Sequence, residues 1–261
     1  MITAIIQARM GSTRLPGKVL MKVNGRPLLG YMIERVRTSR RIEQIVIATT
    51  RSDDDVQIVD WCKANGIPFY CGDEEDVLSR YYGAAQQYKA SIVVRMTSDC
   101  PLMDPRVMDA VIQAFLERPQ VKFVSNTVPL PCLYPDGMDV EVFSFDLLKQ
   151  AHREAGLPSE REHVTFYMWK TGKFPIFRVD CAEDLSRYRF TVDYPQDFQV
   201  IKAALEELYD TDPFFTMGKL ITFMNSRPQL LKAQQGILRN AGWQKALERD
   251  RKIFNHKGVI S

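Results

Sequence analysis

The sequence predicts an α/β fold, a mostly parallel sheet flanked by helices, and three observations carry that expectation. Short apolar runs alternate with longer amphipathic segments through the first half, the rhythm of β-α-β units. Helix-start residues stand ahead of several amphipathic segments. The 261 residues are enough for one large core, and no repeat or clear linker divides them. Residues 1–261 therefore read as a single domain, with 196–261 as a helical C-terminal extension.

In chain order, strands are expected at 3–6, 44–48, 68–71, 91–96 and 122–125, with helices between them at 27–38, 53–65, 77–88 and 105–117. Pro27 suits a first helical turn, and Ser52 ahead of Asp53, Asp54 and Asp55 reads as a capped, acid-biased start. Asp104-Pro105 repeats that pattern. Beyond 125 a Pro-rich stretch (Pro129, Pro131, Pro135) precedes a strand at 139–143, a helix at 145–154 and two further strands at 174–179 and 189–192. That half is expected to complete the sheet and cover the site. From Pro195 onward the segments read as helical, and 229–252 is polar and basic enough for a tail helix lying on the surface or on a partner.

Composition narrows the function classes. Hydrophobic residues make up 45% and charged residues 26%, the balance of an ordinary globular protein rather than a disordered one. A net charge of +3 suits a binder of small anions and argues against nucleic acid as partner. The apolar opening run is broken at Gln7 and Arg9, so it reads as a buried strand, neither signal peptide nor membrane span. Cys62, Cys71, Cys100, Cys132 and Cys181 show no CxxC spacing, which points away from a disulfide framework or zinc site and toward a reducing cytoplasm.

The loop 7–18, Gln7-Ala8-Arg9-Met10-Gly11-Ser12-Thr13-Arg14-Leu15-Pro16-Gly17-Lys18, carries the most chemistry. It comes directly after the first strand, where an open parallel sheet places its ligand crevice. Two glycines permit close backbone approach, small hydroxyls stand at Ser12 and Thr13, and Arg9, Arg14 and Lys18 supply positive charge, the ingredients for holding a triphosphate. It is not a Walker A loop, since five residues separate Gly11 from Gly17 and Val19 stands where Ser or Thr is required.

Gln7 to Lys18, continued by Gly25-Arg26-Pro27-Leu28-Leu29, resembles the signature of cytidylyltransferases that make CMP-activated acidic sugars, and among them the spore coat polysaccharide biosynthesis group. The resemblance extends in order through Gly72–Tyr81 (GDEEDVLSRY), Arg95–Leu102 (RMTSDCPL), Glu160–Thr165 (EREHVT) and Arg189–Pro195 (RFTVDYP). It implies a Rossmann-like sheet of the nucleotide-diphospho-sugar transferase type with a small dimerisation and sugar-pocket extension, and a homodimer. It also implies in-line attack by a substrate oxygen on the α-phosphorus of CTP, assisted by Mg²⁺. The acceptor implied is a keto-sugar acid, sialic-acid-like or 2-keto-3-deoxy. A sugar phosphate or phosphorylated polyol as acceptor, and a glycosyltransferase binding a finished nucleotide sugar, stay open as alternatives.

On the same resemblance Asp99 and Asp193 are the Mg²⁺ ligands, a role suited to hard carboxylate oxygens. The competing reading for each is a cap for the Pro-led helix just beyond it. Arg9 and Lys18 are assigned to the phosphates, Arg14 to the departing pyrophosphate, and Gln7, Ala8, Gly11, Ser12 and Thr13 to the nucleotide. Asp76 and Arg80 are assigned to base or ribose, against the alternative of an acidic helix start. Arg95 is either a substrate contact or the partner of an internal ion pair. Asp139 and Glu141, two apart on one strand, share a face and are expected in the sugar pocket, where two acids favour contact with hydroxyls. His163 is expected near the acceptor, or else bonded to a backbone carbonyl. Asp53-Asp54-Asp55 could pass for a glycosyltransferase DxD motif but reads better as an acidic first turn.

Overall fold

The computed structural model describes residues 1–256, and side chains through Ile253. Residues 257–261 of the expected C-terminal extension lie outside the described residues. The chain opens with β1 (Ile2–Gln7), then passes through the loop to a hairpin of β2 (Lys22–Val23) and β3 (Arg26–Pro27). Asn24 and Gly25 turn that hairpin at φ 47° and 77°, the doubly positive pair that an Asn-Gly turn supplies. Next come α1 (Leu28–Arg37), β4 (Gln44–Thr50), α2 (Val56–Ala64), β5 (Phe69–Gly72), α3 (Val77–Gln87), β6 (Ile92–Thr97) and α4 (Pro105–Leu116). The second half holds β7 (Phe123–Ser125), β8 (Glu141–Ser144), α5 (Phe145–Glu154), α6 (Pro158–Glu162), α7 (Phe166–Lys170) and β9 (Ile176–Arg178). Four helices close it: α8 (Pro195–Leu208), α9 (Met217–Asn225), α10 (Pro228–Ala233) and α11 (Ala241–His256). Among the described residues no helix is long and apolar enough to cross a membrane.

Seven strands form one sheet in the order β5-β4-β1-β6-β8-β7-β9. β1 pairs in parallel with β4 on one side and β6 on the other, so the chain reverses its direction of travel across the sheet between β1 and β6. In an open α/β sheet that reversal leaves a crevice at the carboxyl ends of the two strands. β8 runs antiparallel to both β6 and β7, and the register sets Arg95 opposite Glu141. The start of β8 therefore lies beside the end of β6, and the segment ahead of it reaches the same crevice.

Both faces of the sheet are covered, which explains why β1 is apolar without alternation. Ile6 and Val94 pack toward Leu29 and Met32, while Ile5 and Val93 pack toward Leu78, Tyr81 and Phe143. The strands and helices expected from the sequence recur with shifts of one to three residues, with four differences. Pro27 caps α1 rather than lying inside it, and Ser52 makes no side-chain cap bond. Asp53–Asp55 forms a separate 3-10 turn ahead of α2. Residues 189–192 form no ladder strand: Arg189 makes one isolated bridge to Asp136. Phe190 N instead donates to Asp136 O and Val192 N to Asp99 O, at 2.6 and 2.8 Å, so the segment ties two loops together instead of extending the sheet.

Candidate active site

The loop after β1 is held from below. Asp55, 2% exposed, accepts from Met10 N at 2.6 Å and from Thr49 Oγ1 and Thr50 N, both at 3.2 Å. Met10 O in turn accepts from Ser12 N at 2.8 Å and Gly17 N at 3.0 Å, folding the loop back on itself. Gly17 adopts φ 69°, a conformation that costs an L side chain about 1 kcal/mol. The chain then enters a 3-10 turn, Lys18–Leu20, that fixes the direction of the Lys18 side chain.

Lys18 Nζ lies 2.9 Å from Asp99 Oδ2 and 2.9 Å from Asp193 Oδ1. One carboxylate comes after β6 and the other precedes α8, so the ammonium bridges groups that are far apart in the chain. Asp193 also takes Arg14 Nη2 at 2.6 Å and Arg189 Nη2 at 2.9 Å. Arg189 is held by fully buried Asp197, Nε to Oδ1 at 2.9 Å, and Asp197 Oδ2 accepts from Asp193 N and Tyr194 N at 2.9 and 3.0 Å. Neither Asp99 nor Asp193 caps a helix. Asp104 caps α4 through Arg106 N at 2.9 Å, and Tyr194 occupies the cap position of α8.

Burial opposes charge on both Lys18 and Asp193, but pairing outweighs it. Lys18 is held above the usual lysine value by Asp99 and Asp193. Asp193 is held well below the usual carboxylate range by Lys18 and Arg14. Both stay ionised at neutral pH. Among the described residues no three metal-ligating side chains converge, so the chain itself offers two carboxylates gathered around one cation position. That donor set fits Mg²⁺, which takes one or two carboxylates and completes its shell with phosphate oxygens and water.

A cleft of about 640 Å³ opens beside this cluster, and a smaller hollow of about 240 Å³ joins it through shared walls. Gln7, Ala8, Arg9, Ser12, Thr13 and Arg80 border the larger space; so does Lys18. Asp136, Asp139, Glu141 and Arg239 border the smaller one. Gln7, Arg14, Arg95, Asp99, His163 and Asp193 line both. Of the residues the sequence nominated, only Gly11 and Asp76 do not appear in either lining. Asp76 caps α3 through Ser79 N at 2.9 Å and pairs with Arg161, so its side chain serves the helix.

Arg80 is 2% exposed, and its Nη1 donates to Asp73 O at 2.8 Å. Arg95 makes the internal ion pair, with Glu141, while facing the cleft, and its Nη2 donates to Gln7 Oε1 at 3.2 Å. Thr165 Oγ1 donates to Glu141 Oε1 at 2.9 Å. β8 begins at Glu141, so Asp139 precedes the strand instead of sharing it, yet both reach the smaller hollow. Burial and neighbouring Asp139 push Asp136 up to about 7, and burial raises Asp139 as well. Arg239 pairs with Asp139 and donates Nη1 to Tyr134 O at 2.7 Å. His163 is driven down to about 4 by burial and then by Arg95, and its Nε2 has no partner among the described residues.

The tail is where the sequence reading fell shortest. α11 packs its inner face on α6 and α7: Ala246 is buried, Trp243 stands edge-on to Phe166 at 5.0 Å, and Asp250 accepts from Ser159 N at 3.0 Å. Its other edge joins the cleft through Gly242, Lys245 and Arg249. Asp55 and Asp197 were also missed as site supports. Asp197 carries a signal, the third position after a helix cap, where an acid can bond back to the cap backbone; Arg239 and Lys245 carry none.

Residues 3–221 match a family model described as cytidylyltransferase. The spore coat polysaccharide biosynthesis protein SpsF of Bacillus subtilis is 34% identical over 238 residues, which cover 87% of this chain and 95% of that protein. The 3-deoxy-manno-octulosonate cytidylyltransferase of Anaeromyxobacter dehalogenans is 30% identical over 248 residues, covering 78% and 97%. Among solved structures, a cytidylyltransferase from Leptospira borgpetersenii superposes with a TM-score of 0.83 at 34% identity, covering 91% of this chain and 99% of that one.

Proposed function

Since the chain belongs to the cytidylyltransferase family, we propose that it joins the CMP moiety of CTP to a keto-sugar acid, sialic-acid-like or 2-keto-3-deoxy, releasing pyrophosphate, in the making of a surface polysaccharide. It is a CTP-dependent nucleotidyltransferase; the acceptor, the metal and the residue roles are the proposal. The observation that carries it is Lys18 bridging Asp99 and Asp193 at the carboxyl edge of the sheet, beside the cationic loop 7–18.

In this reading an acceptor oxygen forms a bond to the α-phosphorus as the bond to the pyrophosphate oxygen breaks in line. The chain's work is positioning and charge neutralisation, as in phosphoryl transfer generally. Lys18 and Arg9 meet the phosphates, and Arg14 accompanies the departing pyrophosphate. Asp99 and Asp193 would hold Mg²⁺, and the ion would supply charge neutralisation at the phosphate oxygens. Backbone amides and hydroxyls of Ser12 and Thr13 complete the nucleotide side, with Gln7, Ala8, Arg80 and Arg95 along its wall. The smaller hollow takes the acceptor: Asp139 and Asp136 accept from its hydroxyls, and Arg239 and Arg95 offset the acidity that would repel a carboxylated sugar. His163 faces both halves. A homodimer working in the cytoplasm belongs to the same proposal and rests on the resemblance to these enzymes.

The test is to supply CTP, UTP, GTP or ATP with Mg²⁺ and a panel of acceptors including 3-deoxy-manno-octulosonate, a sialic acid and a sugar phosphate, and to monitor pyrophosphate. Release with CTP and a keto-sugar acid is expected. Release with UTP or GTP alone overturns the base assignment, and release with the phosphorylated acceptor alone overturns the acceptor class.

A further inference from the structure

The family match ends at residue 221, yet part of the cleft wall comes from α11, well beyond it. Two stripes on this helix have the same i, i+3, i+7 spacing, so each runs in one line along the helix surface. Trp243, Ala246 and Asp250 form the inner stripe, anchored on Phe166 and Ser159. Gly242, Lys245 and Arg249 form the neighbouring stripe, and all three line the larger cleft. The aromatic and aspartate anchors thus fix the rotation of the helix and leave Lys245 on the wall of the cleft that Arg9, Ser12 and Thr13 also line.

The other cations of this cleft are already engaged. Arg9 pairs with Glu74, Arg14 with Asp193, Lys18 with two aspartates, Arg95 with Glu141 and Arg249 with Glu162. Arg80 is buried on backbone carbonyls. Lys245 is exposed and makes no ion pair among the described residues. An ammonium in no ion pair among the described residues, on the wall of a cleft that also carries Ser12, Thr13 and several arginines, is complementary to a polyanion and gives up no ion pair to meet one.

We propose that Lys245 is a polyphosphate-binding residue that the C-terminal helix adds to the nucleotide side of the cleft. The occupant is the triphosphate rather than an anionic group of the acceptor, because Lys245 lines the loop side and is absent from the hollow of Asp136 and Asp139. The inference rests on CTP being the nucleotide, and its test separates the two claims.

Calorimetric titration of the full chain with CTP, with CMP and with inorganic tripolyphosphate reads it directly. Lys245→Ala is expected to weaken CTP and tripolyphosphate about 5-fold, the size of one partly exposed charge-assisted contact, and to leave CMP unchanged. Lys245→Arg keeps CTP affinity within about 2-fold, and Lys245→Glu weakens it further than alanine does. Lys232→Ala, at an exposed lysine of α10, leaves all three ligands unaffected. Equal weakening of CTP and CMP, or CTP affinity unchanged in Lys245→Ala, overturns the assignment and leaves the enzyme reading standing. Failure of the unmodified chain to bind CTP overturns both.

Discussion

Replacing Lys18 by Met removes the ammonium that Asp99 and Asp193 share while keeping an unbranched apolar stem of nearly the same reach. Both acceptor oxygens sit 2.9 Å from Nζ, so they are at most about 5.8 Å apart. With side-chain exposures of 10%, 24% and 21% for Lys18, Asp99 and Asp193 the trio is shielded but not dry, and an effective dielectric near 20 applies. Two bare carboxylates at that separation repel by about 3 kcal/mol. Arg14 and Arg189 remain on Asp193, which reduces the expected loss of stability to about 2 kcal/mol, or roughly 4–8 °C in Tm for a chain of this size. The same substitution removes a charge from the proposed phosphate site, where one preorganised donor is worth about 100-fold or more in turnover. Mg²⁺ no longer competes with an ammonium for the two carboxylates, so millimolar Mg²⁺ is expected to raise the Tm of Lys18→Met more than that of the parent. The assays are pyrophosphate release and thermal melting with and without Mg²⁺. Turnover within about 3-fold of the parent, together with a Tm indifferent to Mg²⁺, would refute the reasoning.

Three further outcomes are expected. Asp99→Asn removes a charged oxygen at that position without touching a helix cap, so turnover falls by about 100-fold or more while the thermal transition persists; undiminished pyrophosphate release rules out the metal role. Gly137 sits at φ +98°, and a Cβ there would lie 2.5 Å from Phe190 C and 2.6 Å from Thr191 N, backbone atoms with no room to yield. Gly137→Ala should therefore cost about 3 kcal/mol or more in denaturant unfolding and loosen the Asp136–Arg189 pair beside it; a loss under about 1 kcal/mol would show that the turn relaxes freely. His163 titrates near 4 when folded against 6.5 in the unfolded chain. Its contribution to stability is whole above pH 6.5 and is lost as pH falls toward 4, by about 3 kcal/mol at most, because the unfolded chain takes up the proton first. His163→Gln should flatten the stability profile over that window, and an unchanged slope between pH 6.5 and 4 would show that the histidine is not the group responsible.

Much of this site was legible in the sequence because its residues come at the ends of strands. The loop 7–18 and Asp99 stand directly after apolar runs, and a parallel sheet with helices on both faces sends the ends of β1 and β6 to one crevice. Capping was harder to read. Asp99, Asp104 and Asp193 all stand shortly before a Pro-led helix, and only the hydrogen bonds separate the cap, Asp104, from the two that face Lys18. The segment 189–192 reads as a strand, but its backbone amides are spent on Asp136 O and Asp99 O, and Arg189 is consumed by three aspartates.

By itself the sequence determined the features that local periodicity and ordered motifs encode: the strands, the helices between them, the cationic loop and the family. Tertiary structure decided which charges meet. Lys18 finds Asp193 across 175 residues, Arg239 finds Asp139 across 100, and α11 turns from an expected surface tail into a cleft wall. A carboxylate or a lysine looks the same in the sequence whether it faces water, a helix end or a neighbour of opposite charge. The choice depends on which chain segments the packed core brings within a few ångströms, and no local pattern encodes that.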